Sequence, residues 1–329
     1  MAPTVAAGHE TRLYYQYEDR GFNQPNDDTT EKTFGANARL TTAQGSNAIR
    51  RVYRPGFRAG IEELAMLFEG SFSVQFSLTN PFWLRAILGE PDKTGTGPDY
   101  TYEYSLQNDG TPVSLRLYVA HEPTSIERIM YGAVVTNVSI DTTVEEEVQV
   151  TLDGLYADSE KNNGIAPQPT TGSRDPLTYA EGAVDVDGST ETFVQSATLS
   201  VENNIDLIRE MGSRIAVDYN PKTVNPSLDV GRIFDQDTGH DNLERMFGGL
   251  GTTQPQEDAD ENTDRVDLRF DNGKAAGSGI NEGSFELTGS LIDSYDESGV
   301  GDPQADLEEA LTRVALEPSA TWTIEAEPL

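Results

Sequence analysis

The 329-residue sequence contains no cysteine, which excludes disulfides, thiolate metal sites and cysteine nucleophiles. It is poor in lysine, with five lysines against 18 arginines. Long apolar runs are also missing. The longest, Ile129–Val135, includes a glycine and is far shorter than the roughly 20 residues that span a bilayer. Residues 1–20 lack the basic start and apolar stretch of a signal peptide, so we expect a soluble protein not exported by such a signal.

Acidic residues dominate the charge of the chain. Asp and Glu total 56 against 23 Lys and Arg, for a formal net charge of −33. We expect such an excess in a protein that works in molar salt, where the Debye length falls to about 3 Å and dense carboxylates repel each other less. The charge argues against a nucleic-acid reader, because affinity for DNA comes mostly from Lys and Arg on phosphates. It is compatible with a surface past which DNA slides without binding.

Alternation of apolar and polar residues is the main pattern along the chain. Residues 133–141 and 148–153 both alternate, with a polar break at Thr142–Thr143. Period-two alternation is typical of strands with one buried face, and two such runs around a break predict a hairpin. The same alternation recurs at Leu13–Tyr17, Val113–Val119, Phe193–Val201, Arg265–Phe270 and Ser284–Leu291. The sequence therefore predicts a mainly β protein.

A weak internal repeat organises these strands. The segment VSLRL at 113–117 matches VDLRF at 266–270, and LRAILG at 84–89 matches LERMFG at 243–248. Both helical patterns end in glycine, as helix C-termini often do, and both follow a strand pattern. We interpret the order as two β-rich modules with one short helix each. The predicted boundaries are 1–165 for a first module with an N-terminal arm or loop, 166–185 for a linker, and 186–329 for a second module.

The repeat also helps to interpret the segment IEELAMLF at 61–68. Its apolar residues would share one face of a helix. Its counterpart in the repeat, SRIAVDYN at 213–220, has the pattern of a strand. We therefore predict a strand for both segments.

Two longer segments carry a resemblance to a known family. They are YGAVVTNVSIDTTVEEEVQVTLDGLYA at 131–157, a Gly-led strand, a polar break and a second strand, and FVQSATLSVENNIDLIREMGSRIAVDY at 193–219, two strands around an Asn-rich corner. The chain resembles the major tail tube proteins of viruses with long, non-contractile, siphovirus-like tails. The likeness covers most of residues 50–160 and 190–295. The acidity suggests a virus of halophilic archaea.

The resemblance implies tail-tube-type β-barrel or sandwich modules, six of which close a ring around a lumen. Inner strands of the modules join into one multi-subunit barrel, the rings stack, and viral double-stranded DNA passes through without sequence-specific binding. Two modules in one chain favour a trimeric, pseudo-hexameric ring over a hexamer. The implied partners are further copies of the chain, a tape measure protein, a tail terminator and baseplate proteins. The implied place is the virion tail, after assembly in the host cytoplasm.

Two sets of residues are candidates within that expectation. The run Glu145–Glu147 has three interpretations: a solvated strand start, a metal or acid–base site, or a position facing the lumen or the next ring. For the lumen we name Glu147, Gln149, Thr151 and Asp153, which share one side of the predicted strand. For an inter-ring arm within residues 20–60 we name four arginines suited to bidentate pairing with carboxylates, namely Arg50, Arg51, Arg54 and Arg58.

Other patterns favour ordinary surface or core roles. The DTG at 237–239 occurs once and lacks the apolar strand that precedes an aspartic protease loop. The segment DQDTGHD offers Asp235, Asp237 and Asp241 to a calcium ion but lacks the twelve-residue loop pattern, so a surface turn is favoured. The histidines lie too far apart in sequence to suggest a metal set, and the clustered tyrosines suggest a packed strand. These residues are His9, His121, His240, Tyr14, Tyr15 and Tyr17.

The sequence contains no recognisable catalytic constellation, cofactor motif or metal site, so we expect a structural protein rather than an enzyme. Two alternatives stay open. One is a baseplate or tail-end protein of the same fold, which copy number in the particle would distinguish. The other is a carbohydrate-binding or surface-layer β-sandwich of a halophile, which predicts a secretion signal and exposed aromatic platforms.

Overall fold

The chain folds into long antiparallel strands with very little helix. A computed structural model describes residues 11–24, 31–55, 60–106, 111–165, 174–234, 241–255, 263–299 and 306–325. Within these residues the short helices are α1 (Arg85–Leu88), α2 (Asp241–Met246) and single 3₁₀ turns at Phe82–Leu84, Glu122–Thr124 and Tyr179–Glu181. The prediction of a mainly β protein is confirmed.

Seventeen strands lie in the described part of the chain. The first nine are β1 (Thr11–Tyr17), β2 (Ala36–Tyr53), β3 (Gly60–Ser77), β4 (Asp92–Thr94), β5 (Asp99–Ser105), β6 (Leu115–His121), β7 (Ile126–Thr143), β8 (Gln149–Tyr156) and β9 (Asp158–Asn162). The other eight are β10 (Gly182–Val186), β11 (Ser189–Thr190), β12 (Val194–Ile208), β13 (Asp218–Ile233), β14 (Asp264–Asp271), β15 (Asn281–Ser298), β16 (Glu308–Val314) and β17 (Glu317–Glu325).

Strand pairing repeats from the first half of the chain to the second. In the first half β1 pairs with β6, β6 with β7, and β7 with β8 and β9. In the second half β10 pairs with β14, β14 with β15, and β15 with β16 and β17. The hairpins β2–β3 and β12–β13 are likewise equivalent, since β3 pairs with β8 as β13 pairs with β16. The helices α1 and α2 follow β3 and β13, as the matched helical patterns predicted.

One sheet of eight strands runs through both halves, and we call it the shared sheet. Its order is β2–β3–β8–β7–β12–β13–β16–β15, and all its neighbours are antiparallel. The junction between the halves is the pairing of β7 with β12. A second link lies outside this sheet, where β17 pairs with β5. The shared sheet is open, with β2 and the last part of β15 at its two edges.

Two equivalent glycines bend the long strands β7 and β15. In β7, residues up to Ala133 pair with β6 and β9, and residues from Val134 pair with β8 and β12. In β15, residues up to Ser290 pair with β14 and β17, and residues from Leu291 pair with β16. Both glycines have positive φ, +60° and +68°. A Cβ on Gly132 would lie 2.8 Å from the ring of Phe22, and one on Gly289 would lie 2.8 Å from Leu316. Only glycine suits such a bend, because other residues are strained at positive φ and would clash here.

The details of two repeat predictions are wrong. β13 begins at Asp218, so residues 213–217 form the turn of the β12–β13 hairpin and not the start of a strand; 61–68 does lie in β3, as predicted. The matched segments 113–117 and 266–270 fall on equivalent strands but four residues out of register. In the structure Leu117, opposite Met130, corresponds to Val266, opposite Leu287. A shift of four residues keeps the same face buried, so alternation alone does not detect it.

The equivalent core positions of the two halves use different chemistry. In the first half Phe76 and Val150 are opposite each other and fully buried. The corresponding pair in the second half is Arg232 and Glu309, whose Nε and Oε2 atoms lie 2.8 Å apart with both side chains almost fully buried. Tyr295 donates a hydrogen bond of 2.6 Å to Glu309. Arg232 also pairs with Glu191, whose Oε2 lies 2.5 Å from its Nη1. Burying charges is costly unless they have partners, so Glu309 depends on Arg232 for a cation while Arg232 has two carboxylates.

We expect the repeat itself to supply a replacement for this ion pair. The variant Arg232→Phe leaves Glu309 buried without its cation and should lose about 3 kcal/mol of unfolding free energy. The variant Glu309→Val should lose less, because Arg232 keeps Glu191 as a partner. The double variant, which copies Phe76 and Val150, should lose about 1 kcal/mol, because the charge that then lacks Arg232 is that of Glu191, which reaches solvent. Urea unfolding in molar potassium chloride measures all three. A double variant as unstable as the sum of the single variants would contradict the interpretation.

Candidate functional site: a polar sheet face and an exposed arm

The two faces of the shared sheet are chemically opposite. Apolar side chains such as Val74, Leu152 and Leu228 point into the core and are fully buried. The other face carries polar side chains in rows that cross the strands. Three rows define what we call the polar face: Ser77, Gln149, Asp141, Thr198, Asp229, Thr312, Ser294; Arg39, Gln75, Thr151, Ser139, Ser200, Ser227; and Thr42, Ser73, Asp153, Asn137, Glu202, Asn225. Alternation places every second residue on this face.

The polar face continues across the junction between the halves. Thr198 of β12 donates a hydrogen bond of 2.9 Å to Asp141 of β7, which also accepts one of 3.0 Å from Ser139. Thr312 and Asp229 make the same kind of contact between β16 and β13. The face is therefore one surface with one hydrogen-bonding pattern.

Negative charge exceeds positive charge on this surface. The three rows contain four carboxylates, on Asp141, Asp153, Glu202 and Asp229, and one guanidinium, on Arg39. Arg39 donates from Nε to Gln75 at 3.0 Å, which holds it against the sheet. A face of carboxylates and small hydroxyl and amide groups repels phosphates and offers few cations to bind them.

Three of the four residues named from the sequence lie on the polar face. Gln149, Thr151 and Asp153 occupy three successive rows of β8. Glu147 precedes the strand at the margin of the face and accepts hydrogen bonds from Ser77, at 2.6 Å, and Asn37, at 3.3 Å. Within the described residues, no group of three or more His, Asp or Glu side chains is arranged to hold a metal ion.

A second surface is the outer part of the β2–β3 hairpin, residues 46–69, which we call the arm. Most of its side chains are exposed, including Ile49 at 60% and Tyr53 at 58%. Arg50, Arg51 and Arg54 are all exposed on it, and Arg51 pairs across the hairpin with Glu63 at 2.9 Å. The fourth predicted arginine, Arg58, lies outside the described residues.

The turn of the equivalent hairpin, β12–β13, packs against the base of the arm. The amide of Phe68 donates to the carbonyl of Arg214 at 2.9 Å. Arg214 donates in return to the carbonyl of Met66, at 3.0 Å, and to Asn47, at 2.8 Å. The two hairpins thus support each other, while the outer arm has no such cover from the described part of the chain.

Comparison with known protein families shows which family the chain belongs to. Residues 8–244, more than two thirds of the chain, match the family described as phage tail tube protein. The chain belongs to the phage tail tube protein family. No curated protein matches the chain. Membership supports a structural role in a viral tail tube, made by self-assembly with other tail proteins, and the polar face and the arm are the two surfaces to interpret within that role.

The remaining sequence candidates that fall within the described residues do not form a site. His121 contacts Thr11 at 3.3 Å, while His9, His240, Asp235, Asp237 and the DTG at 237–239 lie outside the described residues; Asp241 begins α2. The tyrosines of β1 belong to the core: Tyr14 stacks on Tyr118 with ring centroids 5.0 Å apart, and burial raises the pKa of Tyr15 and of Tyr17. No helix in the described part of this tail tube family member is long and apolar enough to cross a membrane.

Proposed function

We propose that this tail tube family member polymerises into stacked rings and that the polar face of the shared sheet lines their lumen. The observation that carries the proposal is the continuity of this face across both halves of the chain. A curved sheet that is apolar on one side and polar on the other can close into a barrel whose interior holds water. Closure also removes the two open sheet edges, which otherwise invite aggregation.

We propose that viral double-stranded DNA passes through this lumen without specific binding. The four carboxylates of the polar face repel phosphates, and small hydroxyl and amide side chains give no anchor for bases. Gln149, Thr151 and Asp153 would face the DNA, with Glu147 near the rim. A smooth negative wall favours passage because each contact with the DNA is weak.

The ring would contain three chains. We take the two modules to be residues 1–165 and 186–329 around a linker at 166–185. The chain places eight strands in one sheet, and each module would supply four of them. Three chains then give a barrel of three times eight, or 24, strands with pseudo-sixfold symmetry. The arm would stack the rings, with Arg50, Arg51, Arg54 and Arg58 meeting carboxylates of the next ring.

We further propose a siphovirus-like virus of halophilic archaea as the source, since the net charge of −33 suits molar salt. Assembly would take place in the host cytoplasm. The other tail partners would be a tape measure protein, a tail terminator and baseplate proteins.

Electron microscopy tests the assembly directly. Purified protein exchanged into molar potassium chloride should form hollow rings or tubes in negative stain, with a mass per ring of three chains. Dispersed globules of one or two chains across a wide range of protein concentrations would contradict the proposal. Rings of six chains would retain the tube and contradict the trimer.

The charge of the lumen has its own test. The variant Asp153→Lys with Asp229→Lys should make tubes that retain short duplex DNA after sedimentation, at the lowest salt that keeps tubes intact, because cations replace carboxylates beside the phosphates. The control reverses two exposed carboxylates outside the shared sheet, Glu103→Lys and Asp175→Lys. Equal retention by the two variants would show that the polar face does not line the lumen.

The arm is tested by tube length. The variant Arg50→Glu with Arg51→Glu should give rings but fewer and shorter tubes, because the arm then repels the acidic surface of the neighbouring ring. The matched control reverses two other exposed arginines, Arg12→Glu and Arg269→Glu, which lie on β1 and β14. If tube length and yield equal those of the unchanged protein, the arm takes no part in the stacking of rings.

A further inference from the structure

We infer that neighbouring chains join edge to edge, with β2 of one copy pairing antiparallel to β15 of the next in the register that β12 and β7 adopt inside the chain. This inference rests on the proposed ring and names its interface residue by residue. The repeat supplies the argument. β12 is the counterpart of β2, and β7 is the counterpart of β15. The pairing of β12 with β7 is therefore an example, inside the chain, of the pairing proposed between β2 and β15 of neighbouring copies.

The first step aligns β15 with β7. Gly132 and Gly289 are equivalent, and both strands then contain one irregularity in the register against their hairpin partner. After it, Asn137 lies opposite Asp153, and Ser294 lies opposite Thr312. Asn137 and Ser294 are therefore equivalent. Two residues further along, Asp296 is the counterpart of Ser139, and four residues further along, Ser298 is the counterpart of Asp141.

The second step aligns β2 with β12. Ser73 of β3 lies opposite Asp153, and Asp229 of β13 lies opposite Thr312, so Ser73 and Asp229 are equivalent. Their partners on the outer strands are Thr42 and Thr198. Counting on by two residues from Thr42 and Thr198 makes Gln44 the counterpart of Ser200.

The register between copies follows from these two alignments. Inside the chain Thr198 lies opposite Asp141, and Ser200 lies opposite Ser139. Between copies the corresponding pairs are Thr42 with Ser298, and Gln44 with Asp296. Neither pair sets like charges against each other, which would oppose strand pairing.

The core side of these strands gives a further pair in the same register. Val201 lies opposite Val138 inside the chain, and the corresponding pair between copies is Gly45 with Tyr295. A Cβ on Gly45 would lie 3.0 Å from the hydroxyl of Tyr156 and 3.1 Å from the ring of Phe68, so rings of the same chain already cover this position and Tyr295 would pack beside them. Side chains of Arg128 and Tyr156 donate to the carbonyls of Ala43 and Gln44. Successive carbonyls of a strand point to opposite edges, so one of the two faces the next copy, and its second lone pair can accept a bond from the partner strand.

Paired cysteines test this register, because the chain has no cysteine of its own. The double variants T42C/S298C and Q44C/D296C should form disulfides between copies under mild oxidation in molar potassium chloride. The controls exchange the partners, T42C/D296C and Q44C/S298C. Their residues lie diagonally, at about 7–8 Å, beyond the usual Cα separation of a disulfide. Non-reducing denaturing gels should show at least tenfold more cross-linked chain for the matched pairs.

The number of chains in the largest cross-linked species shows how many chains close the ring. Matched double variants should give covalent species that stop at three chains. An equimolar mixture of the single variants T42C and S298C should stop at two, because each joined pair then lacks further partners. Products that extend to six chains, or that continue without limit as in an open filament, would overturn closure by three.

The same experiment separates the interface from the proposed function. Hollow rings in the microscope together with equal or no cross-linking of the matched and exchanged pairs would overturn the β2–β15 register and leave the tube in place. Globules in the microscope without cross-links would overturn both. Cross-linking at the second matched pair guards against a local disturbance at the first.

Discussion

The antiparallel pairing of β7 with β12 is the interaction on which the rest of the structure depends. It joins two β-rich modules into one sheet, and it places polar rows from both modules on one surface. Thr198 and Asp141 bind across it at 2.9 Å, so the contact is made by side chains as well as backbone. Because the two halves of the chain repeat the same strand pairing, this contact is also the basis for the pairing proposed between copies.

The two halves of the chain repeat the strand pairing without repeating the side chains at every core position. The first module fills a core position with Phe76 and Val150, while the second fills it with Arg232 and Glu309. Both solutions leave the strand pairing unchanged, since the backbone ladder is the same for either pair of side chains. A chain that carries two modules can therefore diverge in its interior while both modules present the same kind of polar surface.

Much of the fold was predictable because alternation of apolar and polar residues marks a strand in the sequence. The hairpin of β7 and β8 and the two short helices were found from local pattern. The strand over 61–68 was predicted only through its counterpart at 213–220, of which residues 218–220 alone lie in a strand. Three of the four proposed lumen residues share one face for the same reason. The turn at 213–217 was missed, since Ile215 and Val217 continue an apolar alternation that the chain uses at the end of a hairpin and not within a strand.

The sequence by itself determined the class of the protein: acidic, cysteine-free and mainly β, with an order of strands and short helices that recurs and a polar side to its strands. These properties depend on composition and on residues near each other in the chain. Tertiary structure alone decided that β7 pairs with β12, that Arg232 and Glu309 are buried together, and that polar residues of eight strands form continuous rows. Such contacts join residues far apart in sequence, and their register depends on bulges that leave no trace in the alternation.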